Sequence, residues 1–116
     1  FIIYSNARIN SILRKSKVIA EDLAHVIVDL KSPAEQLLAF HLARFSDVIY
    51  KITTDLTPHY LTDYLYETAQ LFNSFYNQCR IIGDDNQLSR LALCRFASLI
   101  ITKGLDLLGI GVLDRM

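Results

Sequence analysis

Two tyrosine–arginine pairs are the residues of this sequence best suited to chemistry on a ligand. Tyr4 and Arg8 are four positions apart, and Tyr76 and Arg80 repeat that spacing. Residues four apart share one face of a helix, so each pair would present an aromatic ring beside a guanidinium group. Such a ring offers an unstacked nucleic-acid base a stacking surface, and arginine offers donors to the base edge. The alternative is that both tyrosines are boundary residues, with buried rings and solvated hydroxyls.

The start of the chain adds a third aromatic residue and a basic cluster. Phe1 lies three positions before the first tyrosine and would share its helix face. The first 17 residues hold no acidic residue, and their cations Arg14, Lys15 and Lys17 are suited to contact phosphates. The chain as a whole has 12 basic and 12 acidic residues, which argues against tight, non-specific nucleic-acid binding. The sequence therefore predicts either a local patch that touches few phosphates or a solvated, basic helix end.

Other kinds of site find little support in the sequence. Cys79 and Cys94 are 15 positions apart, and the three histidines lack the spacing of metal ligands. Gly109-Ile110-Gly111 is not followed by the third glycine or the helix of a nucleotide-binding loop. We find neither a nucleophile motif nor a carboxylate pair suited to acid–base catalysis. We therefore expect no catalytic residue, metal site or cofactor in this chain, and its isolated cysteines suit a reducing compartment such as the cytoplasm.

Length and composition favour a single helical domain. Of the 116 residues, 52% are hydrophobic and 21% are charged, which excludes a disordered chain and permits a substantial core. Only four glycines and two prolines favour long helices over a turn-rich β-sandwich. No apolar run approaches the roughly 20 residues that cross a bilayer. We predict one all-α domain over residues 1–116, a bundle of about four to five helices that does not enter a membrane. Because the chain begins at Phe1, we expect it to be a fragment of a longer protein.

Capping signals and apolar periodicity place the helices. Ser32-Pro33-Ala34-Glu35 combines an N-cap, a first-turn proline and the glutamate of a capping box. Thr57-Pro58 repeats the cap-and-proline signal, and Gly109 suits the left-handed position after a helix. Together these marks predict four helical segments, the first with a break near Ser16: about 4–30, 33–53, 58–82 and 87–108.

Three blocks of residues resemble a known family. The first is the run 4–15, Tyr-Ser-Asn-Ala-Arg-Ile-Asn-Ser-Ile-Leu-Arg-Lys. The second comprises 64–66, 72–76 and 80–82, and the third comprises 89–94, 103–110 and the closing Arg115-Met116. With these blocks the sequence resembles the C-terminal anticodon-binding domain of arginyl-tRNA synthetase, an all-helical domain named for its Asp-Ala-Leu-Arg motif. The likeness spans almost the whole chain, and the closing block is its most specific part.

The resemblance implies a domain that binds the anticodon loop of arginine tRNA and holds its middle cytosine in a pocket. The family's pocket positions fall on these anticodon-binding residues: Phe1, Tyr4, Asn6, Arg8, Tyr76, Arg80 and Met116. Asn6 replaces the family's usual histidine, and Arg80 stands where some members carry tryptophan. The parent enzyme would join arginine to its tRNA with ATP and Mg²⁺, through a catalytic domain outside this chain. The resemblance also implies a cytoplasmic protein, which we expect to be monomeric.

Two alternatives stay open at this point. A helical protein-interaction module would use wide apolar faces to dock a partner helix, and its binding would respond little to salt. The related helical domains of the cysteinyl enzyme and of the glycyl enzyme's β subunit share the middle block. They do not share the closing Arg115-Met116, which favours the arginyl family.

Overall fold

The computed structural model of the protein describes residues 1–55 and 59–109. In these ranges the chain forms six helices and no β-strand: α1 (Ile2–Ser16), α2 (Ala20–Leu23), α3 (Pro33–Ala43), α4 (Phe45–Asp55), α5 (His59–Gln78) and α6 (Gln87–Leu107). The predicted all-α class is confirmed. None of these six helices combines the length and the apolarity that a bilayer-crossing segment needs. The predicted cap at Thr57-Pro58 and the predicted site residue Met116 lie outside the described residues.

The start of α3 follows its predicted signal. The Ser32 hydroxyl accepts the Glu35 N–H at 3.2 Å, and the Glu35 carboxylate accepts the Ser32 N–H at 3.1 Å. Each bond satisfies one of the backbone donors that the first turn of a helix leaves free. At the other end of the chain, Gly109 follows α6 with a φ of +77°, the left-handed conformation that its position predicted.

The predicted helix over 33–53 is wrong in one respect, because it is broken into α3 and α4 at Arg44. The Arg44 N–H bonds to the His41 carbonyl at 3.1 Å, which tightens the last turn of α3. The hydroxyl of Tyr64 on α5 donates to the same His41 carbonyl at 2.7 Å. A side chain 23 residues away therefore donates a hydrogen bond to a carbonyl at the end of α3. No local pattern in the sequence indicates that contact.

The predicted extent of α5 to residue 82 is also wrong, since the helix ends at Gln78. Residues 79–86 form a turn in which Gly83 takes a φ of +87°. Asn86 occupies the N-cap position of α6, but its side chain does not cap that helix. It donates instead to the Asp29 carbonyl at 2.9 Å and to the Glu35 carboxylate at 3.2 Å, so it ties the turn to the segment before α3.

Helix α5 forms the centre of the fold and contacts α1, α3, α4 and α6. Its Leu65, Phe72 and Phe75 are fully buried, together with residues of the surrounding helices: Ile9, Leu38, Leu42, Leu91, Leu93 and Ile101. On α6, by contrast, 42% of the Phe96 side chain is exposed. This arrangement packs α1 against both α5 and α6.

Candidate nucleic-acid interface

Helices α1 and α5 run side by side in the same direction. Phe1 pairs with Tyr66, and further along both helices the Ser5 hydroxyl accepts from the Asn73 amide at 3.3 Å. Still further along, Arg8 meets Tyr76. Residues that are 65 to 68 positions apart in the sequence therefore line a common seam.

Arg8 lies between the rings of Tyr4 and Tyr76. Its guanidinium carbon is 5.3 Å from the centre of the Tyr4 ring and 5.0 Å from the centre of the Tyr76 ring. Both distances are within the range of a cation–π interaction. The predicted Tyr4–Arg8 pair on one helix face is confirmed. The second predicted pair is not helical, because α5 ends before Arg80, and the cation over the Tyr76 ring comes from α1.

The two tyrosines differ in how firmly they are held. The Tyr76 ring lies nearly parallel to that of the fully buried Phe72, with ring centres 6.2 Å apart and an interplanar angle of 11°. Tyr76 is 38% exposed, whereas Tyr4 is 66% exposed. The alternative of a buried, structural ring is therefore wrong for Tyr4. One ring is fixed against the core, and the other is open to a ligand.

A surface cleft of about 310 Å³ opens beside these side chains, and we call it the tyrosine cleft. Its lining comes from α1 and α5: Tyr4, Ala7, Arg8, Ser11, Ile12, Lys15 and Tyr76. Residues 4, 8, 11 and 15 follow the three- and four-residue steps of one helix face. That spacing is visible in the sequence. From it, Ser11 could have been predicted as a further site residue, and Lys15 could have been predicted to line the cleft with Tyr4 and Arg8.

A second cleft of about 320 Å³, which we call the loop cleft, adjoins the first. It is lined by the ends of α1 and α5 and by the turn after α5: Ile12, Lys15, Tyr76, Cys79, Arg80, Ile81 and Ile82. Ile12, Lys15 and Tyr76 line both clefts. Arg80 donates from Nε to the Ile82 carbonyl at 3.3 Å, so its guanidinium belongs to the turn and to the loop cleft.

The three predicted phosphate ligands are exposed and lie at the carboxyl end of α1. Lys15 lines both clefts, while Arg14 is in the last turn and Lys17 follows it. The Lys17 backbone is left-handed, with a φ of 59°, and its N–H donates to the Arg14 carbonyl at 3.2 Å. Cations are favoured at this end of a helix by the backbone dipole, so a structural benefit accompanies any contact with phosphate.

Two other predicted site residues lie away from the tyrosine cleft. The Phe1 ring packs against Tyr66, with ring centres 5.1 Å apart. Asn6 faces α6, where its amide donates to Thr102 at 3.4 Å and its oxygen accepts from Ser98 at 3.0 Å. Asn6 therefore joins two helices on the side of α1 that is turned toward α6.

A buried ionic network holds the turn that carries the loop cleft. Glu35 is fully buried and accepts from the Arg90 guanidinium at 3.3 Å, and Arg90 also contacts the Asp84 carboxylate at 3.3 Å. Burial alone would lower the pKa of Arg90, but the hydrogen bond that it donates to Glu35 and the charges of Glu35 and Asp84 raise its pKa overall. Arg90 donates in addition to the Arg80 carbonyl. The sequence predicted only the capping role of Glu35, and nothing in its pattern indicated this second one.

Comparisons with known proteins agree with the fold. Residues 2–116 match the family described as the DALR anticodon binding domain, and the chain belongs to that family. The resemblance noted in the sequence is thereby confirmed.

Three similar proteins are named as arginine–tRNA ligases or arginyl-tRNA synthetases. An arginine–tRNA ligase from Cutibacterium acnes is 40% identical over 129 residues, covering 100% of this chain and 23% of that protein. One from Chlamydia felis is 38% identical over 116 residues, covering 100% of this chain and 20% of that protein. The crystal structure of an arginyl-tRNA synthetase from Plasmodium falciparum superposes with a TM-score of 0.80 and 34% identity, over 93% of this chain and 19% of that one. The chain thus spans about a fifth of the length of these relatives.

Proposed function

We propose that this chain binds the anticodon stem and loop of an arginine-accepting tRNA, as the recognition domain of a longer arginine–tRNA ligase. The observation that carries the proposal is the position of Arg8 between Tyr4 and Tyr76 at the tyrosine cleft. Arginine, ATP and Mg²⁺ would bind to the catalytic part of that longer protein and not to this chain. The proposal includes a cytoplasmic location and a monomeric state.

Recognition would proceed by extrusion of the middle anticodon base. Removing a base from its stack costs a few kcal/mol, and stacking on an aromatic ring returns about 1–3 kcal/mol. Tyr4 offers the more exposed ring for that stack. The Arg8 guanidinium has only donors, which complement the O2 and N3 acceptors of cytosine. Uracil presents an N–H at the N3 position, so it would set a donor against a donor.

The basic end of α1 would supply contacts with the backbone. Arg14, Lys15 and Lys17 lie together at the carboxyl end of this helix, next to both clefts. Each phosphate that a cation neutralises on a single strand contributes about −0.7 to the slope of log affinity against log salt. Three contacts would therefore give a slope of about −2.

Binding of an arginine tRNA transcript at a series of salt concentrations tests this function. The expected slope is about −2 for the unmodified chain, and replacing all three cations by glutamine should bring it close to zero. In a control variant, glutamine replaces Lys31, Arg44 and Lys103, which are exposed and lie elsewhere on the chain. The control loses the same number of positive charges, and its affinity should keep the salt dependence of the unmodified chain. A docking module for an apolar protein segment would instead give no measurable tRNA binding, and that result would contradict the proposal.

A further inference from the structure

We infer that Asn73 is a positioning residue for discrimination of the middle anticodon base. Its amide binds Ser5 and thereby fixes the register in which α1 lies along α5, and that register brings Arg8 to Tyr76. The inference rests on the proposed function and assigns part of its specificity to a residue outside the described lining of the tyrosine cleft. The hydrogen bond between Asn73 and Ser5 is kept for alignment of the two helices and not for stability.

This hydrogen bond and the cation–π contact depend on one alignment of the two helices. Ser5 and Asn73 are 68 positions apart in the sequence, as are Arg8 and Tyr76. Because α1 and α5 run in the same direction, a single axial position of α1 brings both pairs together. A slip of one turn, about 5.4 Å, would carry Arg8 beyond the roughly 6 Å range of a cation–π contact with Tyr76. The contact between Arg8 and Tyr4 would remain, because both residues belong to α1.

The core beneath this hydrogen bond is apolar. Ile9 is fully buried on α1, and Phe72 and Phe75 are fully buried on α5. Apolar attraction is not directional, so it distinguishes less sharply between neighbouring alignments of two helices. A single asparagine in such an interface excludes the other alignments, because each of them would leave its amide without a partner.

The pair of Ser5 and Asn73 carries the cost that a register-setting contact has. Ser5 is fully buried, and the Asn73 Oδ1 atom is buried without a hydrogen-bond partner among the residues that the structure describes. A buried acceptor that stays unpaired lowers the free energy of unfolding. An apolar side chain of the same shape would avoid that loss, so stability alone does not account for an asparagine at this position.

Polar contacts on the other side of α1 join it to α6. The Ser98 hydroxyl lies 3.0 Å from the side-chain oxygen of Asn6 and 3.1 Å from that of Asn10. All three residues are partly exposed, so water competes with these bonds. Because α6 carries neither ring of the tyrosine cleft, we expect the bonds to hold α1 on the bundle without aligning Arg8 with Tyr76. Ser98 therefore offers a matched control.

Binding of two anticodon stem–loops, with cytosine or uracil at the middle position, tests the inference. The protein variants are Asn73→Leu, in which the side chain keeps nearly the same shape, Ser5→Ala, Arg8→Gln and the double variant of Asn73→Leu with Arg8→Gln. The control is Ser98→Ala, which removes a hydroxyl that bonds to α1 from the opposite side. Urea denaturation of every variant gives its stability beside the ratio of its two affinities.

We expect Asn73→Leu to reduce the preference for cytosine from about tenfold to about threefold or less, with a urea midpoint no lower than that of the unmodified chain. Ser5→Ala should reduce the preference similarly, and it should also lower the midpoint because the Asn73 amide loses its partner. In the Arg8→Gln background, Asn73→Leu should have no further effect on the preference, since it acts through Arg8. Ser98→Ala should keep the preference within about twofold of that of the unmodified chain.

The inference is overturned if Asn73→Leu keeps the full preference for cytosine, or if it reduces the preference equally with and without Arg8. A preference that falls together with the urea midpoint of Asn73→Leu would also overturn it, because the hydrogen bond would then only support the fold. An equal loss of preference in Ser98→Ala would show that the contact with α5 has no special part. In each case the proposed function survives if the unmodified chain prefers the cytosine RNA. Equal binding of both RNAs by the unmodified chain would defeat the proposed function and this inference together.

Discussion

The Arg8 guanidinium carbon lies 5.3 Å from the ring centre of Tyr4 and 5.0 Å from that of Tyr76, so a single side chain connects the exposed ring of α1 to the anchored ring of α5. Because Tyr76 is parallel to the buried Phe72, this group of side chains is fixed to the core at one end. A guanidinium held between two rings loses little freedom when it meets a base edge. Under the proposed function, this relationship gives a chain with no net charge a defined site for RNA.

Tyr4→Ala is expected to weaken tRNA binding with little effect on stability. The ring is 66% exposed, so its removal takes away a stacking surface worth about 1–3 kcal/mol but little of the core. The matched control is Tyr50→Ala on α4, where the side chain is 72% exposed. Binding titrations and thermal unfolding of both variants test the prediction. Equal affinities for the two variants would remove Tyr4 from the site.

Glu35→Ala is expected to lower the free energy of unfolding by about 3–5 kcal/mol, because it leaves the Arg90 charge without its buried partner. It also removes the capping box of α3 and the acceptor for Asn86. Glu21→Ala on the exposed surface of α2 serves as the control and should change stability by less than about 0.5 kcal/mol. Urea denaturation measures both. Similar losses in the two variants would show that the network contributes nothing specific.

Stability is expected to depend on pH through His41. This side chain is 4% exposed, and its Nε2 lies 2.8 Å from the Thr68 hydroxyl and 3.2 Å from the Tyr64 carbonyl. Burial lowers the pKa of His41 below 6.5, against the opposite effects of the hydrogen bond to Tyr64 and of the Glu67 carboxylate 4.0 Å from Nδ1. The neutral ring is therefore favoured in the folded chain.

The sign of this dependence follows from which state takes up the proton. Below pH 6.5 the unfolded chain binds a proton at His41 more readily than the folded chain does, so stability falls as the pH decreases from there. Above pH 6.5 His41 is neutral in both states, so its protonation no longer lowers the free energy of unfolding. Denaturation curves at pH 5 and 7.5 should show a smaller difference for His41→Gln than for the unmodified chain. The control His59→Gln, at an exposed histidine, should retain the difference, and a retained difference in His41→Gln would contradict the assignment.

Gly104→Ala is expected to destabilise the fold even though alanine is the better helix former. A Cβ at position 104 would lie 2.6 Å and 2.8 Å from the two terminal methyl carbons of Leu65, which is fully buried. Overpacking of this kind costs about 1–3 kcal/mol, against the roughly 1 kcal/mol gained in helix propensity. Adding Leu65→Ala to Gly104→Ala should cost less than Leu65→Ala costs alone, since the new methyl partly fills the cavity. Additive losses in urea denaturation would exclude this contact as the cause.

The parts of the fold that local chemistry determines were predictable from the sequence. The capping box at Ser32 and the left-handed Gly109 are examples. The break at Arg44 was not predictable from local pattern, because the end of α3 is bonded by the Tyr64 side chain of α5. The early end of α5 was not predictable either, since the sequence there has no proline and its glycine comes five residues later.

The candidate site likewise has parts that follow from local sequence and parts that depend on contacts between distant residues. The Tyr4–Arg8 pair follows from helix spacing, but the bridge from Arg8 to Tyr76 joins residues 68 positions apart. The spacing of Tyr76 and Arg80 suggested a second pair, and the end of α5 separates those residues into different surroundings. Asn6 was placed in the site by resemblance alone, and it bonds to α6 because its helix face is turned that way.

The central claim is that the cleft beside Arg8 distinguishes the middle anticodon base by its hydrogen-bonding edge. The most direct measurement compares the affinity of the chain for two anticodon stem–loops that differ only by cytosine or uracil at that position. The account predicts that uracil weakens binding by about tenfold or more, since one mismatched base contact costs about 1–3 kcal/mol. Equal affinities for the two RNAs would contradict it.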